Sequence, residues 1–228
     1  MLVLAFDTAT AAVTVALHEW IPGETVRARA SADAVDARRH TELLTPAVEG
    51  VLAEAGAAPA DLSAIAVGVG PGPYTGLRVG LVTARSLGEA LQIPVHGVCT
   101  LDAIAWASGR TEPFAVATDA RRKEVYWARY AAAGVRVTGP AVGPAADVLD
   151  GVSGDLPVIG EGAVLYSDVL GGSGAAPDPL RPSATALADL VVARLSGRPG
   201  PELLPPEPLY LRRPDAAAPG PRKKVTPA

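Results

Sequence analysis

A single cysteine, Cys99, among 228 residues excludes an intrachain disulfide and a cysteine-rich metal site. It follows the apolar run at residues 94–98, with no nucleophile signature beside it, and reads as a small buried hydrophobe. Histidine is equally scarce. His18, His40 and His96 form neither an HExxH nor an HxxxH pair, so conventional zinc hydrolysis has little support. No GxSxG elbow offers a nucleophilic serine. No glycine-rich loop ends in Gly-Lys-Ser/Thr, as a phosphate loop of the usual kind requires. An excess of positive charge is also missing: the formal net charge is -4 and the pI is near 5.4, against the basic field of a self-sufficient nucleic-acid binder. The apolar start MLVLAFDTATAAVTVALHEW has no basic leader, and Asp7 interrupts it short of a membrane span, so paired strands and a cytoplasmic location are expected.

What is present is a hydrophobic content of 49 %, enough for a sizeable core in one large domain or two small lobes. Short apolar runs at 2–6, 12–17 and 26–30, around the polar turn Asp7-Thr8-Ala9-Thr10, predict an antiparallel start to a mixed sheet. Helical spacing of Leu43, Leu44, Ala47, Val48, Val51, Leu52 and Ala55 predicts a helix over 40–55, bent or begun at Pro46 and stopped by Gly56. A strand at 64–69, the loop GPGPYTGLR at 70–78 and a helix through Leu91 follow, then a strand at 94–99 and a helix at 101–107. The second half shows strands at 114–118 and 124–131 and a helix at 185–195. Residues 171–182 and 197–208 read as loops. The segment 214–228, with Arg222, Lys223 and Lys224, reads as a solvated tail, or as a weak contact for RNA or another subunit.

Two places offer ligand chemistry. In GPGPYTGLR, Gly70, Gly72 and Gly76 permit unusual backbone angles or close approach, while Thr75 is expected to cap the next helix and leave backbone NH groups for a phosphate or carboxylate. The same pattern also suits a structural turn or subunit packing, and Arg78 suits an anion partner or an ordinary ion pair. Asp7, Thr8 and Thr10 supply a carboxylate and hydroxyls able to orient water, metal or phosphate, or simply to hold a hairpin turn. His40, near a helix start, suits a substrate contact or a structural role. Asp119, Arg121, Arg122, Lys123 and Glu124 form a charged turn that fits an interface, a substrate-facing loop or a solvated hairpin.

In order, VLAFDTAT, RRHTELLTPAVEGVL, AIAVGVGPGPYTGLRVGLVTARSLGEAL, IPVHGVCTLDAIA and ATDARRKEVYWARY resemble TsaB proteins over roughly residues 1–132, and PLYLRRP at 208–214 resembles a family ending. The resemblance implies an α/β, two-lobed fold of the actin-like, sugar-kinase and Hsp70-related group, with ribonuclease H-like mixed sheets. It implies a first lobe at 1–102, a second at 103–213 and the tail beyond. The expected role is that of a scaffold without catalytic residues or a metal site. It would activate a TsaD-like paralogue, which transfers a carbamoyl-threonine group from threonylcarbamoyl-adenylate to the N6 of a tRNA adenosine. A TsaE-like ATPase joins, tRNA is met through the complex, and a homodimer is an alternative in isolation. No cofactor is expected on the chain itself, with ATP or ADP and magnesium assigned to the assembled complex. A vestigial or interface nucleotide site would comprise Asp7, Thr8, Thr10, Gly70, Gly72, Thr75 and Gly76. The partner-facing residues implied are His40, Leu44, Val48, Val51, Leu77, Gly80, Leu81, Ala84, Leu87 and Gly88, with Gly80-Ala84-Gly88 forming a narrow face. The paired-histidine helix of catalytic relatives is absent at Arg38-Arg39-His40-Thr41-Glu42-Leu43-Leu44. An ATP-dependent phosphotransferase working through Asp7 and the 70–76 loop, and an M22-like peptidase, are the alternative readings.

Overall fold

Alternation of large and small side chains decides how the first sheet is covered. Along β1 (Leu2–Asp7), Leu4 and Phe6 face one way, while Val3 and Ala5 face the other. The same alternation recurs in β2 (Ala12–Glu19), with Val13, Val15 and Leu17 opposite Ala16, and in β4 (Leu62–Gly68), with Ile65 and Val67 opposite Ala64 and Ala66. The bulky face accepts helices α1 (His40–Ala55) and α2 (Tyr74–Leu91), and the alanine-rich face lets α6 (Ala184–Leu195) lie close. The computed structural model describes residues 1–21, 26–152, 155–171 and 178–212. The segment 214–228 and the part of the 171–182 loop at 172–177 lie outside the described residues.

The first sheet has the order β3-β2-β1-β4-β5, completed by β3 (Arg27–Val35) and β5 (Val95–Val98). β1, β2 and β3 pair antiparallel, whereas β4 and β5 run parallel to β1. A second sheet repeats this plan with four strands in the order β8-β7-β6-β9, formed by β6 (Phe114–Asp119), β7 (Glu124–Ala132), β8 (Val135–Pro144) and β9 (Val158–Ile159). Again the first three pair antiparallel, and the last lies parallel to the first. The β6–β7 turn is therefore the second sheet's counterpart of the β1–β2 turn, and Asp119 at the end of β6 stands where Asp7 stands at the end of β1. Short helices α4 (Glu161–Leu165) and α5 (Ser167–Leu170) follow β9.

The helix expected over 40–55 is present with those bounds and runs through Pro46, which neither starts nor ends it. Pro46 lacks the N–H that would bond the Glu42 carbonyl one turn back, but both residues are exposed and water can satisfy that carbonyl. Gly56 ends α1 in the left-handed region, with φ 63°, its N–H donating to the carbonyls of the last turn. Strand β8 departs from the sequence reading, which has no element there. Gly139-Pro140 lies within it, and Pro140 is tolerated because β8 is the edge strand.

Helix α3 (Thr100–Ser108) joins the two sheets, packing against α6 and against β6 and β7. Its first turn carries Asp102, buried between the sheets. The Tyr130 hydroxyl donates to Asp102 at 2.8 Å, and the Arg136 guanidinium stands 3.2 Å away. Burial raises the Asp102 carboxyl pKa, against the opposing pull of Arg136 and Tyr130. The Cys99 thiol just before α3 is pushed up to about 12, chiefly by burial, so it is a packed side chain without thiolate reactivity at neutral pH.

Asp102→Ala, which strands Arg136 and Tyr130, is expected to lower stability by about 3 kcal/mol in urea unfolding. Tyr130→Phe, which removes one hydrogen bond to a carboxylate, should cost about 1.5 kcal/mol. Equal losses in the two variants would mean that the Arg136 pairing contributes nothing.

Candidate functional site

The β1–β2 turn, the loop after β4 and the start of α3 converge on one carboxylate. Asp7 is fully buried and both its oxygens accept hydrogen bonds: Oδ1 from the Ala9 amide at 2.7 Å, Oδ2 from the Thr100 hydroxyl at 2.7 Å. Thr100 is in turn tied to the glycine loop, its hydroxyl accepting from the Gly70 amide at 3.2 Å and its own amide donating to the Gly70 carbonyl at 2.7 Å. Gly70 needs to be glycine for this, since its φ is 93°. Burial is the largest influence on Asp7 and raises its pKa, with Thr100, Ala9 and His40 acting in the opposite direction.

Thr8 inserts its hydroxyl beside α2, donating to the Gly76 carbonyl at 2.8 Å and accepting from the Gly80 amide at 3.0 Å. It thus bridges two backbone groups one helical turn apart. Only glycines allow the approach. A Cβ on Gly80 would lie 2.5 Å from the Thr8 hydroxyl, one on Gly72 2.0 Å from the Ala9 carbonyl oxygen, and one on Gly68 1.8 Å from Asp7 Oδ2. His40 closes the remaining side: its buried Nε2–H donates to the Thr10 carbonyl at 2.8 Å, while Thr10 Oγ1 accepts from the Ala12 amide at 3.2 Å.

The structure therefore gathers Asp7, Thr8, Thr10, Gly70, Gly72 and Gly76 into one cluster, all buried. Thr75 stands apart. It is exposed in the first turn of α2, and the residue that caps this helix is Pro73, which makes no side-chain cap bond. Within this cluster each Asp7 oxygen is already engaged by one donor of the chain itself, and Gly68 and Gly72 pack against Asp7 and the Ala9 carbonyl so closely that even a Cβ would clash. Thr100, the residue that completes the lock, has no local signal in the sequence. It lies 93 positions from Asp7 and only the tertiary fold brings it there.

The expected partner face is also turned inward. Leu44, Val48, Val51, Leu77, Gly80, Leu81, Ala84 and Gly88 are buried against the first sheet, with Leu87 packed beside them, and His40 belongs to the turn. On the narrow face, Gly80 meets this chain's own Thr8 and Gly88 meets Val95. The reason is the bulky sheet face, which takes up both apolar stripes. The outward side of the same helices carries Thr41, Tyr74, Arg78, Val79 and Val82 around a shallow depression of about 470 Å³. Tyr74 and Val82 are exposed at 43 % and 63 %, large for apolar side chains on one helix.

A second cavity of about 470 Å³ opens between the two sheets, where Gly72, Pro73 and Tyr74 face the β6–β7 turn and the chain segment at Tyr210, Leu211 and Arg212. Tyr74 and Tyr210 stack with ring centres 5.2 Å apart, and Arg78 lies over Tyr74 at 3.7 Å while its Nε donates to the Tyr210 hydroxyl at 3.0 Å. Arg121, Arg122 and Lys123 are all left-handed, with φ of 63°, 56° and 63°, a conformation that costs non-glycine residues energy. Bonds from the Arg121 amide to Asp119 Oδ1 and from the Glu124 amide to the Arg121 carbonyl hold the turn. Among the described residues no three His, Cys, Asp or Glu side chains converge as a metal site.

The family model described as "TsaD: tRNA N6-adenosine threonylcarbamoyltransferase" matches residues 34–163. An uncharacterized protein of Mycobacterium tuberculosis (strain ATCC 25618 / H37Rv) is 47% identical over 221 residues, covering 94% of this chain and 93% of its own length. The tRNA threonylcarbamoyladenosine biosynthesis protein TsaB of Escherichia coli (strain K12) is 40% identical over 133 residues, which are 57% of this chain and 55% of that protein. Among solved structures, an uncharacterized Pseudomonas aeruginosa protein with similarity to peptidase YEAZ superposes with a TM-score of 0.74 at 33% identity, covering 92% of this chain and 99% of the other. YeaZ from Pseudomonas aeruginosa gives 0.70 at 33% identity, over 86% and 95%. The mixed sheets and these likenesses agree with the actin-like two-lobed architecture.

Two tests follow from the closed turn. Gly80→Ala should destabilise by about 1–3 kcal/mol through its clash with Thr8, while Gly50→Ala, on the open side of α1 with nothing within 4 Å, should stabilise by about 0.5–1 kcal/mol; equal effects would deny the Thr8 insertion. The second test uses pH. A carboxyl whose pKa is raised in the fold binds its proton more tightly folded than unfolded, so ionisation removes stability as pH climbs from 3.8 through the raised value. The stability of the native chain minus that of Asp7→Asn should fall across this window in urea titrations. A flat difference would show that Asp7 does not titrate high.

Proposed function

Because this chain belongs to the TsaB family, its work lies in the biosynthesis of threonylcarbamoyladenosine in tRNA, and we propose that it acts there as a non-catalytic partner of a TsaD-like transferase. The observation that carries this reading is the closed turn: Gly68 lies directly against the Asp7 carboxylate, Gly72 abuts the Ala9 carbonyl, and the Thr8 hydroxyl is bonded to the Gly76 carbonyl of the same chain. A phosphotransferase needs that carboxylate accessible to metal or substrate, and here both oxygens serve the fold. No geometry favours the peptidase reading either. The nearest candidate nucleophile, Cys99, is buried and its thiol is held neutral.

What remains for function is surface. The outward face of α1 and α2 presents Tyr74, Val79 and Val82 with Thr41 and Arg78 at its edge, an apolar centre with a polar rim of the kind that partner subunits cover. On this reading the TsaD-like paralogue packs there, and a second copy of this chain competes for the same face in isolation. The TsaE-like ATPase, tRNA, and ATP or ADP with magnesium belong to the assembled complex and not to the Asp7 turn. Among the described residues no helix is long and apolar enough to cross a membrane.

Light scattering after size exclusion, on this chain mixed with the TsaD-like protein of the same organism, tests the reading. Val82→Asp, at a position 63 % exposed, should leave the fold intact and weaken association at least about tenfold. Association unchanged by Val82→Asp would move the contact elsewhere. Failure of the native chain to associate even with the ATPase, nucleotide and magnesium present would overturn the scaffold role.

A further inference from the structure

The cleft between the sheets reverses the charge of the whole molecule. The chain carries a formal net charge of -4, yet Arg121, Arg122 and Arg212 line this cleft and Lys123 sits on the turn that borders it, against the two carboxylates of Asp119 and Glu124. Those two carboxylates already show what the cleft accepts. Asp119 pairs with Arg121 at 3.2 Å, and Glu124 pairs with Arg212, whose other nitrogen donates to the Ala120 carbonyl at 3.1 Å. The walls between the cations are Tyr74, Tyr126, Tyr210 and Leu211, and tyrosine with arginine is the composition in which protein-binding energy concentrates.

We propose that this cleft docks an acidic, partly apolar peptide segment of a partner protein. Its glutamate or aspartate side chains meet the guanidinium groups of the β6–β7 turn, and its apolar side chains lie against the tyrosines. Carboxylate is favoured over phosphate for two reasons. The fold's other turn, at Asp7, has both carboxylate oxygens bonded within the chain and so offers no free carboxylate for a metal-bridged polyphosphate, and the walls of Tyr74, Tyr126, Tyr210 and Leu211 suit the apolar side chains of a peptide. The site is separate from the outward face of α1 and α2 and does not rest on the TsaB reading, although Tyr74 borders both. Electrostatic attraction of this kind weakens with salt.

Fluorescence anisotropy with a fluorescein-labelled peptide Glu-Glu-Leu-Glu-Glu-Leu-Glu tests it on the full chain alone. Saturable binding is expected at about 50 mM NaCl and should weaken at least about tenfold at about 500 mM. The double variant Arg121→Glu/Arg122→Glu should likewise weaken binding at least about tenfold. Tyr210→Ala, on a different segment, should weaken it several-fold with the charged turn intact, so a disturbed turn alone does not decide the outcome. Absence of saturable binding, equal binding by the double variant, or equal binding of the lysine-for-glutamate peptide would overturn the proposal. So would binding of ATP or a short single-stranded RNA in place of the peptide, which would make the cleft a phosphate site.

Discussion

The buried carboxylate of Asp7 is the constraint on which the arrangement of this protein depends. Withdrawing a carboxylate from water is costly unless hydrogen bonds replace the lost hydration. Here the replacements come from the Ala9 amide, within the same turn, and from the Thr100 hydroxyl at the head of α3. The Thr100 bond in turn holds Gly70, so the glycine loop, the first strand and the linking helix share a single junction. Two residues further along α3, Asp102 is held by Tyr130 and Arg136 of the second sheet. Polar contacts at the head of α3 thus tie it to β1 through Thr100 and to the second sheet through Asp102, and hydrogen bonds as well as apolar burial join the two sheets.

Closure of that turn has a functional consequence. The fold keeps the strand-turn-strand geometry able to cradle a ligand, but small residues let the polypeptide itself occupy the space. Gly72 abuts the Ala9 carbonyl, and the Thr8 hydroxyl bridges Gly76 and Gly80. On the proposed reading, such a chain contributes surfaces to an assembly instead of reacting groups. The apolar stripe of α2 is consumed by the sheet, which leaves the opposite side, with Tyr74 and Val82, as the exposed apolar feature of that helix.

The two sheets use equivalent turns in opposite ways. After β1 the turn is acidic at Asp7, buried and complete; after β6 it carries Arg121, Arg122 and Lys123 in left-handed conformations at the edge of an open cleft. Holding three successive non-glycine residues there is unfavourable, and the local bonds among Asp119, Arg121 and Glu124 offset part of the cost. On an acidic molecule such a turn is a local basic feature able to draw an anionic partner.

Periodicity carried most of the architecture. The spacing of Leu44, Val48, Val51 and Leu52 located α1, though Pro46 left its start open, and the short apolar runs around a polar turn located β1 and β2. These features are local, written at intervals of two or of three to four residues, and they survive without knowledge of the partner surface. β8 escaped because Gly139-Pro140 is a turn signal, whose acceptability on an edge strand depends on which strands lie beside it. The glycine loop and the Asp7 turn were legible as a pair, but not as a closed pair. Whether a glycine admits a ligand or the chain's own carbonyl is a matter of distances between segments remote in sequence. The same holds for the narrow face of α2. A stripe of small residues announces close approach, and only the packed sheet decided that the approaching group is Thr8 of the same chain, because hydrogen-bond partners and free surface exist only once the chain has folded.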